Sequence, residues 1–138
     1  ILFATSNTKH MVSAITQNIV VSVESSFQPY RSNPELDYYL FSYIISISNE
    51  SDYTVQLLRR QWYIFDTAME RRSVEGEGVV GEQPVLAPGE TYTYESFCQL
   101  STDAGSMHGH YTFRREIDNQ IFEARIPQFL LMPDFRKN

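Results

Sequence analysis

An all-β fold, an antiparallel immunoglobulin-like or fibronectin-III-like sandwich of about seven strands, follows from three observations. Apolar residues alternate with polar ones along most of the chain, the period of a half-buried strand. Turn chemistry recurs every ten or so residues. Aromatics make up 14% of the 138 residues, and aromatic side chains fit a pleated, half-buried surface. No convincing helical periodicity competes. A closed barrel is the alternative architecture.

Ile19, Val21 and Val23 share one face, with Ser22 and Glu24 on the other. Tyr39, Phe41, Tyr43, Ile45 and Ile47 form a second inward series opposite Ser42, Ser46 and Ser48. In "TVQLLRRQWYIF" both faces carry bulky groups, Leu58, Trp62 and Ile64 on one and Val55, Leu57, Tyr63 and Phe65 on the other. That stretch is a central strand covered on both sides, or a strand whose register changes at a bulge. Tyr92 and Tyr94 mark another strand, and Tyr111 and Phe113 the next. Phe122, Ala124 and Ile126 begin the last, which continues toward Leu131.

The breaks support this division. "SNESD" supplies Asn and Ser side chains that bond their own backbone. "APGE" places Pro88 and Gly89 at the centre of a type II turn. Asp118 and Asn119 suit a tight hairpin. Pro34 permits a single helical turn in "NPELDYYL". The length suits one domain, over residues 11–138, with residues 1–10 an N-terminal extension or a cloning remnant and "DFRKN" a fraying end.

The bulk numbers exclude several functions. Eleven basic and seventeen acidic residues give a net charge of −6, the wrong sign for a nucleic-acid binder. No run is long and apolar enough to span a membrane, so a membrane-embedded protein is not expected. Cys98 is the single cysteine, which fits a reducing, cytoplasmic location. Apolar Phe97 and Leu100 flank it and no basic residue adjoins it in the chain, so it reads as a small core residue rather than a nucleophile. No hydrolase or zinc-protease motif is present, so no enzyme and no cofactor are expected.

Gly76, Gly78 and Gly81 form a G-x-G-x-x-G. A dinucleotide site built on that spacing requires a buried parallel strand before it and a helix starting within it. "RRSVE" is charged, and Pro84 falls where the helix would run. Glu75, Glu77 and Glu82 repel phosphate, although Arg71 and Arg72 would offset them. The structural reading is a loop whose glycines adopt positive φ or admit a close neighbour. Arg59 and Arg60 point to opposite faces of an aromatic-rich strand and are candidates for a partner surface, as is Trp62, which is better read as core. His108 and His110 share a strand face and are the weak candidates for a metal. Such ligands would favour cobalt over magnesium. Two solvent-facing histidines beside a hairpin is the plainer reading.

Four blocks then carry a resemblance: "SDYTVQLLRRQWYIFD", "VEGEGVVGEQPVLAPGETYTYES", "GSMHGHYTF" and "FEARIPQFLL". Together they resemble the ApaG family, also called CorD, from about Met11 to Phe135. The resemblance implies a fibronectin-III-like sandwich and a role accessory to cobalt resistance and magnesium efflux. Because the domain also occurs within eukaryotic F-box proteins, it implies protein recognition. The family's G-x-G-x-x-G, which maps onto Gly76, Gly78 and Gly81, has suggested nucleotide or pyrophosphate binding. The expectation is therefore a non-enzymatic cytoplasmic binding module with an unidentified protein partner. The surface would be the Gly76–Glu82 loop with nearby Arg59, Arg60 and exposed aromatics, Arg71 and Arg72 belonging to the loop as a ligand or partner site. Edge strands also make a homodimer an expectation. A nucleotide- or pyrophosphate-binding protein is the alternative.

Overall fold

A computed structural model describes residues 11–68 and 70–133; the expected extension over 1–10 and the fraying end lie outside these residues. Nine strands run through the described residues in chain order: β1 (Met11–Thr16), β2 (Ile19–Phe27), β3 (Tyr39–Asn49), β4 (Val55–Asp66), β5 (Glu70–Glu77), β6 (Val85–Leu86), β7 (Thr91–Leu100), β8 (Gly105–Arg115) and β9 (Ile121–Leu131). One sheet has the order β1-β2-β3-β7 and the other β5-β4-β8-β9, with β6 added to β4. All their pairings are antiparallel. The fold is thus the expected antiparallel sandwich, with nine strands instead of about seven. Alternation alone did not reveal β1, charged β5 or two-residue β6.

The inward faces follow the alternation. Ile19, Val21 and Val23 on β2 and Phe41, Tyr43, Ile45 and Ile47 on β3 are all buried. Across from them Trp62 meets Tyr43 and Phe129 edge-on, with ring centroids 5.4 and 5.9 Å away. Edge-on packing of this kind is worth about 0.5–1.5 kcal/mol per pair beyond the buried area. Trp62 is therefore core.

The crowded β4 resolves as a strand with a bulge. Its register against β8 shifts between Leu57 and Arg59. Val55 and Leu57 face the core before the shift, and Trp62 and Ile64 after it. One inserted residue reverses the parity, so odd and even positions both end up inside. Tyr63 is left on the outer face, 42% exposed. A second shift, in the β8–β9 pairing between Met107 and Gly109, does the same for β9, where Phe122, Ala124 and Ile126 give way to Phe129 and Leu131.

The turns are held by the residues that signalled them. Glu90 N–H donates to the Ala87 carbonyl at 3.0 Å, with Gly89 at φ +88, as a type II turn requires. Asn49 Oδ1 accepts the Ser51 N–H at 3.0 Å. Arg115 N–H donates to the Gln120 carbonyl at 2.8 Å, which closes the β8–β9 hairpin. Pro34–Leu36 forms a single 3-10 turn, and Pro29–Arg31 another.

The two long sides of the sandwich differ. On one side the sheets are stitched together: Ser25 Oγ donates to the Leu130 carbonyl at 2.9 Å, and Arg125 N–H donates to Thr16 Oγ1 at 3.0 Å. On the other side β7 and β5 are edge strands that do not pair with each other. The candidate site lies on and beside this open side.

Candidate functional site

The glycine motif is built into the strand edge. Gly76 belongs to β5, opposite Arg60 on β4, so the expected Gly76–Glu82 loop begins later than the spacing suggested. A Cβ at Gly76 would lie 2.9–3.1 Å from the Arg60 guanidinium. The missing side chain is the room into which that guanidinium folds. Arg60 Nη1 then donates to the carbonyls of Glu77 and Gly78 at 3.0 and 2.9 Å. Arg60 is accordingly half-buried and inward-facing, not part of an exposed surface.

Gly78 sits at φ +63, and a Cβ there would lie 2.1 Å from the Glu82 carbonyl oxygen. Its N–H donates to the Leu58 carbonyl at 2.8 Å. Leu58 stands at the β4 bulge, where its carbonyl also accepts Gln83 Nε2 at 2.9 Å. Val79 and Glu82 exchange both backbone hydrogen bonds, at 2.8 and 2.9 Å, around Val80 at φ +41 and Gly81 at φ +81. Two positive φ values in a two-residue loop make a type I′ hairpin turn.

The N–H groups of Gly78, Val79 and Glu82 are therefore engaged within the protein. Antiparallel β5 precedes the motif and strand β6 follows it. No helix starts at Gly81 to present further N–H groups to a phosphate.

The remaining candidates divide between two surfaces. Arg59 is exposed and pairs with Glu75 at 3.5 Å, a contact of little energetic weight in water. On the outer face of β4, β5 and β8, Arg71 lies over the Phe65 ring at 5.1 Å and Tyr63 stacks on His108 at 5.2 Å. These four side chains border a concavity of about 440 Å³. His110 is on the same face, tilted against Tyr63 at 6.4 Å, and its Nε2 meets Glu123 Oε2 at 3.3 Å. No group of three or more His, Cys, Asp and Glu side chains among the described residues is placed to hold a metal ion.

Arg72 faces inward. Its Nη2 donates to the Gln99 carbonyl at 2.6 Å and reaches Cys98 Sγ at 3.6 Å. The sequence showed no basic neighbour for Cys98, because this one arrives from another strand. Burial nevertheless dominates and pushes the thiol pKa up to about 11, against the pull of Arg72. Such a thiol is not a nucleophile at neutral pH.

The model of the ApaG domain family matches residues 29–115, the segment that contains β4, the glycine turn and all of β8. The chain belongs to the ApaG domain family. It is 47% identical to Protein ApaG of Anaeromyxobacter dehalogenans strain 2CP-1 over 122 residues, 88% of this chain and 95% of that protein. It is 44% identical to Protein ApaG of Brucella suis over 128 residues, 92% and 98% of the two chains. The crystal structure of the ApaA protein from Bordetella pertussis superposes with a TM-score of 0.82 at 38% identity, covering 87% of this chain and 97% of that one. The family assignment and the sandwich therefore agree.

Sequence reasoning missed Gly109 and Asp66. A Cβ at Gly109 would lie 1.9 Å from the Gln61 carbonyl oxygen. Buried Asp66 accepts hydrogen bonds from Ala68, Ser101 and Thr102, four in all, at 2.6–3.1 Å. Both depend on residues distant in the chain, and no local signal marks them.

Proposed function

We propose that the chain is a non-enzymatic cytoplasmic binding module that works by contact with a partner protein and is accessory to cobalt resistance and magnesium efflux. Membership of the ApaG family supports the physiological setting. The observation that carries the mode of action is the outer face of β4, β5 and β8, where Tyr63, Phe65, Arg71 and His108 surround one concavity. Tyr and Arg are the residues that dominate binding energy when a partner excludes water around them. Arg71 held over an aromatic ring is partly preorganised, which lowers the entropy lost on binding. No helix among the described residues is long and apolar enough to cross a membrane. An accessory role requires none.

The test is comparative capture from a native bacterial lysate. The wild-type chain is expected to retain one protein reproducibly. The Tyr63→Ser/Arg71→Ser variant is expected to lose it, and Ile44→Ser, on the outer face of the opposite sheet, to keep it. Capture that ignores the Tyr63 face, or no reproducible capture, overturns the proposal. Heat from ATP, NAD or pyrophosphate at millimolar concentration would favour the alternative, an anion site at Gly76, Gly78 and Gly81 with Arg71 or Arg72. None is expected, because the N–H groups of Gly78, Val79 and Glu82 are engaged within the protein.

A further inference from the structure

The open side of the sandwich holds a second concavity, beside the one on the outer face. It has a volume of about 340 Å³ and lies between the inward faces of β4–β5 and β7, within the range of small-molecule sites. One hydrogen bond joins its two walls, from Arg72 across to the Gln99 carbonyl. Beside it the Tyr92 hydroxyl donates to Glu82 Oε1 at 2.9 Å and ties β7 to the glycine turn. Trp62, Val74, Val79 and Met107 contribute apolar wall, and Tyr94 and Ser96 come from β7.

The cations in this cleft are ordered by the register. Arg60 faces Gly76, Trp62 faces Val74, and Ile64 faces Arg72. A guanidinium-bearing residue thus stands at each end of a short apolar stretch. The two rungs lie four positions apart along the strand, about 13 Å of backbone.

Neither arginine has a carboxylate partner among the described residues. Arg60 uses Nη1 on two backbone carbonyls, and Arg72 uses Nη2 on Gln99 and Cys98. The other guanidinium nitrogens of both side chains have no protein acceptor there. Arg60 is half-buried and Arg72 stands exposed at the rim; a guanidinium without a carboxylate partner is a site for an anion, and its forked donors match a carboxylate bidentately. The apolar wall between the arginines requires a ligand with an apolar body.

We infer that this cleft binds a small amphipathic organic acid, with its carboxylate on Arg72 or Arg60 and its apolar body against Trp62 and Val74. Ile64 and Arg72 border both concavities, whereas Tyr63, Phe65, Arg71 and His108 belong to the protein-contact face alone.

The experiment titrates the 15N-labelled chain with 4-phenylbutyrate, 4-phenylbutan-1-ol and pyrophosphate. The acid is expected to bind with a Kd on the order of 1 mM, set by the binding free energy typical for a dozen heavy atoms. It should shift the Trp62 indole and Ser96 amide signals. The alcohol should bind at least tenfold more weakly, and pyrophosphate should leave those signals in place. Arg72→Gln should weaken the acid about tenfold. Val74→Trp, which adds bulk to the cleft while keeping both guanidinium groups, should do the same while the remaining spectrum is unchanged. Equal binding of acid and alcohol would reduce the cleft to an apolar crevice and overturn the inference. So would unmoved Trp62 and Ser96 signals, or wild-type affinity in both variants. Tighter binding of pyrophosphate would overturn it in favour of a phosphate site. None of these outcomes is read from protein capture, so the two proposals fail separately.

Discussion

Asp66 shows how much a single side chain can contribute. Burial alone would raise its pKa, but hydrogen bonds from Thr102, Ser101 and Ala68 outweigh it and hold the pKa at about 2. A carboxylate with a depressed folded pKa stabilises the fold above its unfolded value, near 3.9, and loses that contribution as pH falls toward 2. The shift corresponds to about 2.5 kcal/mol. Asp66→Asn, which removes one acceptor oxygen, should be about 2 kcal/mol less stable than wild type at pH 7. Urea unfolding at a series of pH values should show the gap closing between pH 4 and 2. A gap that persists at pH 2 would mean the carboxylate charge is not the cause. The glycines give a second contrast. Gly78→Ala meets both a positive φ and the Glu82 carbonyl, whereas Gly81→Ala meets only the positive φ and open space. Alanine should cost about 1 kcal/mol at Gly81, the ordinary left-handed penalty. It should cost at least twice that at Gly78, measured by the same unfolding experiment. Neither Asp66 nor the Arg60–Gly76 packing was legible in the sequence, because each is made by residues that only the fold brings together.

Among the elements, the strands that bury one face were the legible ones. β2 and β3 alternate cleanly, and their inward residues could be named from the sequence. β4 was ambiguous because its bulge reverses parity in mid-strand, and both readings of it fitted the pattern. β5 was invisible as a strand because all but one of its residues are exposed. It alternates with nothing and carries Glu70, Arg71, Arg72, Glu75 and Glu77, charges that also blunt an open edge. The turn after β5 carries a correctable strain. Val80 occupies φ +41 in a type I′ turn, where a β-branched residue is a poor choice. Val80→Asn would create the favoured Asn-Gly pair. It should stabilise the protein by about 1 kcal/mol, seen as a Tm several degrees higher. An unchanged or lower Tm would show that the Val80 side chain contributes packing that outweighs its backbone strain.

For the whole molecule, the asymmetry of the sandwich decides where function can reside. One long side is sewn shut by β1, β2 and β9, and the other opens between β7 and β5. The glycine motif reinforces the open side: Gly76 admits Arg60, Gly78 ties the turn to the β4 bulge, and Gly81 completes the turn. Its glycines thus have structural duties that account for their spacing without a nucleotide. The outer face beside it gathers Tyr63, Phe65, Arg71 and His108, of which the sequence had marked Arg71 and His108 but not their meeting. Residues from three strands converge there, and only the sheet order places them together. On the proposed function, this face carries the protein's activity through contact with another protein. The most direct measurement is cobalt tolerance of a bacterial strain lacking its own family member, complemented by variants whose folding is verified by Tm. Wild type and Ile44→Ser are predicted to restore growth, and Tyr63→Ser/Arg71→Ser to leave the strain as sensitive as the deletion. Full restoration by a folded Tyr63→Ser/Arg71→Ser protein would contradict the claim.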